Sequence, residues 1–173
     1  AYMSGKALAP VLARNYGKDR RAFHLTADYS WGHTQYASMK EFTEQEGWTT
    51  VNNLMTPLGS SDFSMFITAI LNSDAAVLVL NHYGKDMVNS LTQAVEFGLR
   101  DLQKNGKTIE VVVPLFSRVM AKGAGAANID GVFGTTGWNW TLQDPGSQAF
   151  VNSFTKEYGF PPSQAAHTCY VQT

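Results

Sequence analysis

The sequence predicts an α/β fold, a Rossmann-like parallel sheet of about five strands with helices on both faces, and three observations predict it. Strand-like runs begin near residues 21, 48, 75, 109 and 131, some 22 to 34 residues apart, the spacing of a strand plus a return helix. Between them lie windows whose apolar residues recur every three or four positions. The run Ala75 to Leu80 is apolar without interruption, the pattern of a central strand covered on both faces. Right-handed crossovers then place helices on either side of the sheet.

Taken in order, Leu8, Val11, Leu12 and Tyr16 suggest an opening helix, with Pro10 tolerated only near its start. Arg21 to Ala27 reads as the first strand, ended by Asp28, Ser30 and Gly32. Tyr36, Met39 and Phe42 mark a helix from Thr34 to Gln45 that stops at Gly47, and Trp48 to Met55 is the second strand. Asp62 is placed to cap a helix carrying Phe63, Phe66, Ile67, Ile70 and Leu71. The central strand, 75–80, is followed by a helix with Met87, Val88, Leu91, Ala94 and Val95 on one face. Arg100 to Thr108 is polar and reads as a loop or helix end, and Ile109 to Pro114 as the fourth strand. A short helix over Ser117 to Lys122, a small-residue loop over Gly123 to Asn128 and a fifth strand over Gly131 to Gly137 follow. Asp144, Pro145 and Gly146 turn the chain into a helix with Phe150, Phe154 and Tyr158, closed by Gly159 and Pro161. A last helical segment starts at Ser163.

The chain has 173 residues, enough for one domain, with 44% hydrophobic and 16% charged residues. The low charge content excludes intrinsic disorder. A net charge of -1 removes the electrostatic case for nucleic acid or an anionic membrane as partner. The longest apolar run has six residues, far short of the roughly 18 to 20 that span a bilayer. One cysteine, Cys169, excludes an internal disulfide, and His24, His33, His82 and His167 lack metal-site spacing, so no metal and no cofactor is expected. His24, alternating with Phe23 and Leu25, reads as a surface or satisfied edge residue. Met3, Met65 and Met120 read as packing residues.

In an open α/β sheet, ligands bind beyond the carboxyl ends of the strands, and the loops there are aromatic. Asp28, Tyr29, Ser30 and Trp31 follow the first strand, Asn81, His82 and Tyr83 the third, Phe116 and Ser117 the fourth, Trp138 and Trp140 the fifth. Rings with polar tips can bury a small organic molecule and orient it through a few hydrogen bonds. Trp138 and Trp140 are the pair most readily read as structural. Asp28, Ser30 and His33 are the nearest approach to a hydrolytic triad, but no nucleophile elbow or phosphate loop accompanies them. The reading is therefore binding, with no catalytic residue.

The segments Asp28-Tyr29-Ser30-Trp31-Gly32, Gly59-Ser60-Ser61-Asp62-Phe63-Ser64 and Gln93-Ala94-Val95-Glu96-Phe97-Gly98-Leu99, in that order and spacing, resemble the type I periplasmic solute-binding proteins. Within these the chain is most similar to the leucine/isoleucine/valine- and amide/urea-binding branch that serves ABC importers. The resemblance implies one α/β ligand-binding lobe over residues 1–173. Residues 20–137 would be the βα core and 138–173 the return crossing and terminal helices, with the first lobe of the same protein missing. It implies a solute held between two lobes by Asp28, Tyr29, Trp31, Asn81, His82, Tyr83, Phe116 and Ser117. It also implies a membrane permease as partner and a periplasmic or extracellular location, membrane-anchored in a Gram-positive source. Amino-acid-binding members carry an acid in the loop after strand four, and this chain has no Asp or Glu between Val111 and Ile129. The expected solute is accordingly neutral or anionic: an amide, a urea-like molecule, an aromatic acid or an oxo acid, with His82 or Ser117 as donors to an anion, while an amino-acid-like solute would need Asp28 or the other lobe to supply the charge. A lone lobe should bind weakly, and its exposed cleft and missing-lobe surfaces leave self-association open. A ligand-sensing domain of a receptor or transcriptional regulator is the alternative on the same fold.

Overall fold

The computed structural model describes residues 2–104 and 107–173. Helix α1 (Tyr2–Tyr16) precedes strand β1 (Arg21–Ala27), helix α2 (Ser30–Gln45), strand β2 (Thr49–Thr56), helix α3 (Ser64–Leu71), strand β3 (Val77–Asn81) and helix α4 (Gly84–Glu96). The two-residue strands β4 (Gln103–Lys104) and β5 (Lys107–Thr108) follow, then β6 (Glu110–Leu115), α5 (Arg118–Ala124), α6 (Ala126–Ile129) and β7 (Phe133–Thr135). Helices α7 (Pro145–Tyr158) and α8 (Gln164–Gln172) end the chain.

The main sheet has the order β2-β1-β3-β6-β7 and every pairing in it is parallel. Alternation along β1 explains the two layers. Phe23 and Leu25 join Leu78, Leu80, Val111 and Val113 in a core against Ile67 and Ile70 of α3, Met87 and Leu91 of α4 and Met120 of α5. Ala22, Val77, Val79 and Val112 face the other way, onto Leu8 and Leu12 of α1 and Met39 of α2. Five strands with helices on both faces is the fold the sequence predicts, and β3 is its central strand, all five residues buried. Among the described residues no helix is long and apolar enough to cross a membrane.

Several boundaries differ from expectation, each for a physical reason. Helix α1 continues through Pro10, which is exposed. The missing N–H leaves the Lys6 carbonyl to water, while Leu8, Ala9, Leu12 and Ala13 hold the helix by burial. Helix α2 begins at Ser30 rather than Thr34, so Gly32 lies in its first turn instead of ending β1. Phe63, not Asp62, is the residue before α3, and Asp62 accepts a hydrogen bond from the Ser64 N–H at 2.9 Å from one position earlier. Part of the expected loop over 100–108 is an antiparallel pair, Gln103 with Thr108 and Lys104 with Lys107; residues 105–106 of that expectation lie outside the described residues. The expected loop over 123–128 contains the end of α5 and most of α6. Met120 packs in the core, but Met3 and Met65 are 70% and 73% exposed, so they are surface residues and not packing ones.

At the far end, the Asp144 carboxylate accepts from the Ser147 N–H at 2.8 Å, Pro145 stands in the first turn and Gly159 is left-handed with φ 75°, as the turn chemistry predicts. Rings fasten α8: Phe150 of α7 stacks on Tyr170, and Trp138, from the segment between β7 and α7, stacks on His167, both at 4.4 Å between centroids.

Candidate functional site

Because every strand of the main sheet is parallel, the exits of β1, β3, β6 and β7 share one edge, where α2, α4 and α5 begin. Tyr29 immediately precedes α2 with an extended backbone, and Tyr83 does the same for α4. The β1–α2 turn is tight because Gly32 lies against β1: a Cβ there would come within 2.0 Å of the Ala27 carbonyl oxygen. That turn carries Trp31 over the sheet edge. Its ring lies 6.0 Å from Tyr29, stacked at 27°, and 5.9 Å from Tyr83, inclined at 60°. Three rings from two loops thus form one continuous apolar face. Burial raises the Tyr29 phenol above its ordinary pKa, with Asp86 and Tyr83 adding to the effect, so Tyr29 keeps its proton as a donor.

Tyr83 also lines a cavity of about 170 Å³ with Gly84, Ser117, Met120 and Gln164. Ser117 and Gln164 continue into a narrower cleft of about 50 Å³ with Phe116, Arg118, Trp138 and Trp140. The loops after β1, β3, β6 and β7 therefore meet in a single groove. Ser117 caps α5 by accepting from the Met120 N–H at 3.3 Å. Gln164, from the start of α8, accepts from the Gly137 N–H at 3.0 Å and from the Thr136 hydroxyl. Trp138 is buried and donates from Nε1 to Ser147 at 2.8 Å, whereas Trp140 is 38% exposed beneath the Arg118 guanidinium.

Two expected site residues lie elsewhere. Asn81 is the last residue of β3, and both it and His82 are wholly buried. The Ser90 hydroxyl donates to the Met87 carbonyl at 3.2 Å, so it accepts from His82 Nδ1 at 2.9 Å, and His82 Nε2 accepts from Thr56 at 2.9 Å. Burial lowers the His82 pKa to about 4, so the ring is neutral. It ties β2 to α4 beneath the groove and presents neither nitrogen to it. Asn81 Nδ2 donates to Thr26 at 3.1 Å and to His24 Nδ1 at 3.2 Å, and Thr26 donates to Asn53 at 2.6 Å. His24, expected at a surface or edge, is wholly buried under Tyr36, its ring 5.0 Å away, and burial lowers its pKa to about 3. Sheet register causes this, since Asn81 pairs with Thr26 on the face that α1 and α2 cover.

The carboxylates near the groove are engaged. Asp28 pairs with His33 Nε2 at 2.8 Å, both side chains about half exposed. Ser30 opens α2 and its hydroxyl makes no hydrogen bond to either. Asp86, which sequence reasoning missed, is buried in the first turn of α4 and accepts from the Gly59 N–H through both oxygens, at 3.2 and 3.1 Å. Asn89 donates to the Ser60 carbonyl at 3.3 Å, and Gln93 accepts from the Phe63 N–H at 2.7 Å and donates to the Ser61 carbonyl at 2.8 Å. The three share one face of α4 and pin the 59–63 loop. Their helical spacing was the available signal. Among the described residues no group of three or more His, Cys, Asp or Glu is placed to hold a metal.

All 173 residues match the family model described as periplasmic binding protein. No curated protein matches the chain. Among solved structures, it is similar to a periplasmic binding protein from Burkholderia mallei, with 27% identity and a TM-score of 0.80 over 94% of this chain and 42% of that one. It is also similar to an amino acid ABC transporter substrate-binding protein from Pseudomonas fluorescens, with 21% identity and a TM-score of 0.81 over 94% of this chain and 43% of that one. A third is an ABC transporter solute binding protein from R. palustris in complex with benzoate, with 18% identity and a TM-score of 0.78 over 95% of this chain and 43% of that one. The chain spans less than half the length of each.

Proposed function

This chain belongs to the periplasmic binding protein family, and we propose that it forms one face of a solute-binding cleft whose other face comes from a second lobe of the same protein. The observation that carries the reading is the groove at the exit edge of the sheet, where the rings of Tyr29, Trp31 and Tyr83 run into the cavity that Tyr83 shares with Ser117. A flat or branched solute of low charge would rest on these rings and on Phe116, with hydrogen bonds from Ser117 and the Tyr29 phenol. Asp28 stands at the rim. No bond is made or broken: closure of the two lobes captures the solute, and the closed form delivers it to a membrane permease of an ABC importer outside the cytoplasm.

An amide, an aromatic acid or an amino-acid-like molecule fits a surface of this kind. Each ring contact should contribute about 0.5 to 1.5 kcal/mol beyond area burial. Calorimetry on the protein at its full encoded length tests the proposal, with benzoate, benzamide and isoleucine as titrants. Micromolar or tighter binding of at least one is expected, and Trp31→Ala should weaken it about tenfold or more while leaving the melting temperature nearly unchanged. Affinity indifferent to both Trp31→Ala and Tyr83→Ala would overturn the assignment of the groove. The 173-residue chain alone should bind the same solute far more weakly, since half of the solute would stay in water.

A further inference from the structure

We propose that Arg118 is the residue that selects the charge of the solute, by receiving a carboxylate carried on an aromatic body; the inference rests on the groove being the solute site. Arg118 opens α5, next to Ser117, and lines the cleft with Phe116, Trp138, Trp140 and Gln164. Its guanidinium carbon lies 6.0 Å from the centre of the Trp140 ring, within cation–π reach, and a guanidinium carries planar N–H donors that match a carboxylate. The ion pairs among the described residues use Arg21, His33 and Lys40; Arg118 has none.

Its position works against helix electrostatics. A cation in the first turn faces the positive end of the peptide dipoles, where an acid is favoured, and no first-turn acid of α5 offsets it. A guanidinium kept there, over the Trp140 ring and without an ion pair among the described residues, suits an incoming anion. Ser117 supplies the second contact. It is more than nine-tenths buried, its oxygen accepts from the Met120 N–H, and its own proton has no acceptor among the described residues. One oxygen of a carboxylate can take the guanidinium and the other the hydroxyl. An ammonium would find no partner in the cleft, because no acid lines it and Asp28 and Asp86 are engaged by His33 and Gly59. Phe116 and Trp140 flank the carboxyl end, and the aromatic body extends into the wider cavity of about 170 Å³ that Ser117 shares with Tyr83.

The test compares benzoate, benzamide and benzylamine, which match in size and differ in charge, on the full-length protein by calorimetry. Benzoate should bind about tenfold or more tightly than benzamide, with benzylamine weakest. Arg118→Gln should lower benzoate affinity about tenfold or more and so abolish the preference for it, with a smaller loss for benzamide and an unchanged melting temperature, and Arg118→Lys should restore part of the preference. Equal binding of benzoate and benzamide, preference for benzylamine, or a preference for benzoate that survives Arg118→Gln overturns the inference. So does failure of all three to bind. If binding stays sensitive to Trp31→Ala but indifferent to Arg118, only the charge selection falls; if Trp31→Ala and Tyr83→Ala both have no effect, the groove assignment falls with it.

Discussion

Acidification should destabilise this protein through His24 and His82. Both rings are wholly buried, and burial lowers their pKa values to about 3 and about 4, against an unfolded value of about 6.5. As pH falls below about 6.5, the unfolded chain takes up two protons that the folded chain refuses, so stability is complete above that pH and is lost going down. The loss continues until the folded values are reached. At pH 5 each histidine accounts for about 2 kcal/mol, so the pair removes about 4 kcal/mol, a large share of the ~5 to 15 kcal/mol that holds a domain together. Urea unfolding at pH 7.5, 6.5, 6.0, 5.5 and 5.0 measures this, with a slope near 2.5 kcal/mol per pH unit expected between 6 and 5. His82→Gln removes one titrating ring while keeping hydrogen-bonding groups near Thr56 and Ser90, and should about halve that slope. A stability that stays flat from pH 7 to 5.5, or an imidazole of His82 that titrates near 6.5 in the folded state by NMR, would refute the argument.

Gly32→Ala should destabilise the protein by about 2 kcal/mol or more, because the new methyl meets the Ala27 carbonyl oxygen, a backbone atom, at 2.0 Å and the turn itself must shift to admit it. Chemical denaturation checks it, and a loss below about 0.5 kcal/mol would contradict the tight β1–α2 turn. Ser147→Ala should cost about 1 to 3 kcal/mol by leaving the buried Trp138 N–H without its acceptor at 2.8 Å. Unchanged urea midpoint and tryptophan emission in that variant would contradict the contact.

The order of strands and helices was legible because it is written in local periodicity. Ala75 to Leu80 has no polar interruption, and β3 is buried along its whole length. Asp144, Pro145 and Gly159 bracket α7 as turn chemistry requires. Boundaries were less legible where tertiary contact outweighs propensity. Pro10 sits inside α1 because the buried side of that helix does not depend on the lost hydrogen bond. Gly32 reads as a breaker in sequence, and only the approach of Ala27 shows why it stands in a helix. The resemblance rested in part on Gln93 and on Asp62-Phe63-Ser64, and their structural role is now plain, since Gln93 bonds the backbone at Phe63 and Ser61.

The aromatic character of the exit edge belonged to the sequence alone: once the strands are parallel, whatever follows them must converge there, and Tyr29, Trp31, Tyr83 and Phe116 follow them. Which polar side chains reach the groove was decided by tertiary structure. Asn81, His82 and Tyr83 are consecutive, yet the first two point into packed layers and only the third reaches the rim. Side-chain direction at the end of a strand turns on a single residue of register, and the partners that claim a polar group, such as Thr26 for Asn81 or Gly59 for Asp86, lie dozens of residues away. Periodicity encodes the local face of an element; it carries no record of those distant partners.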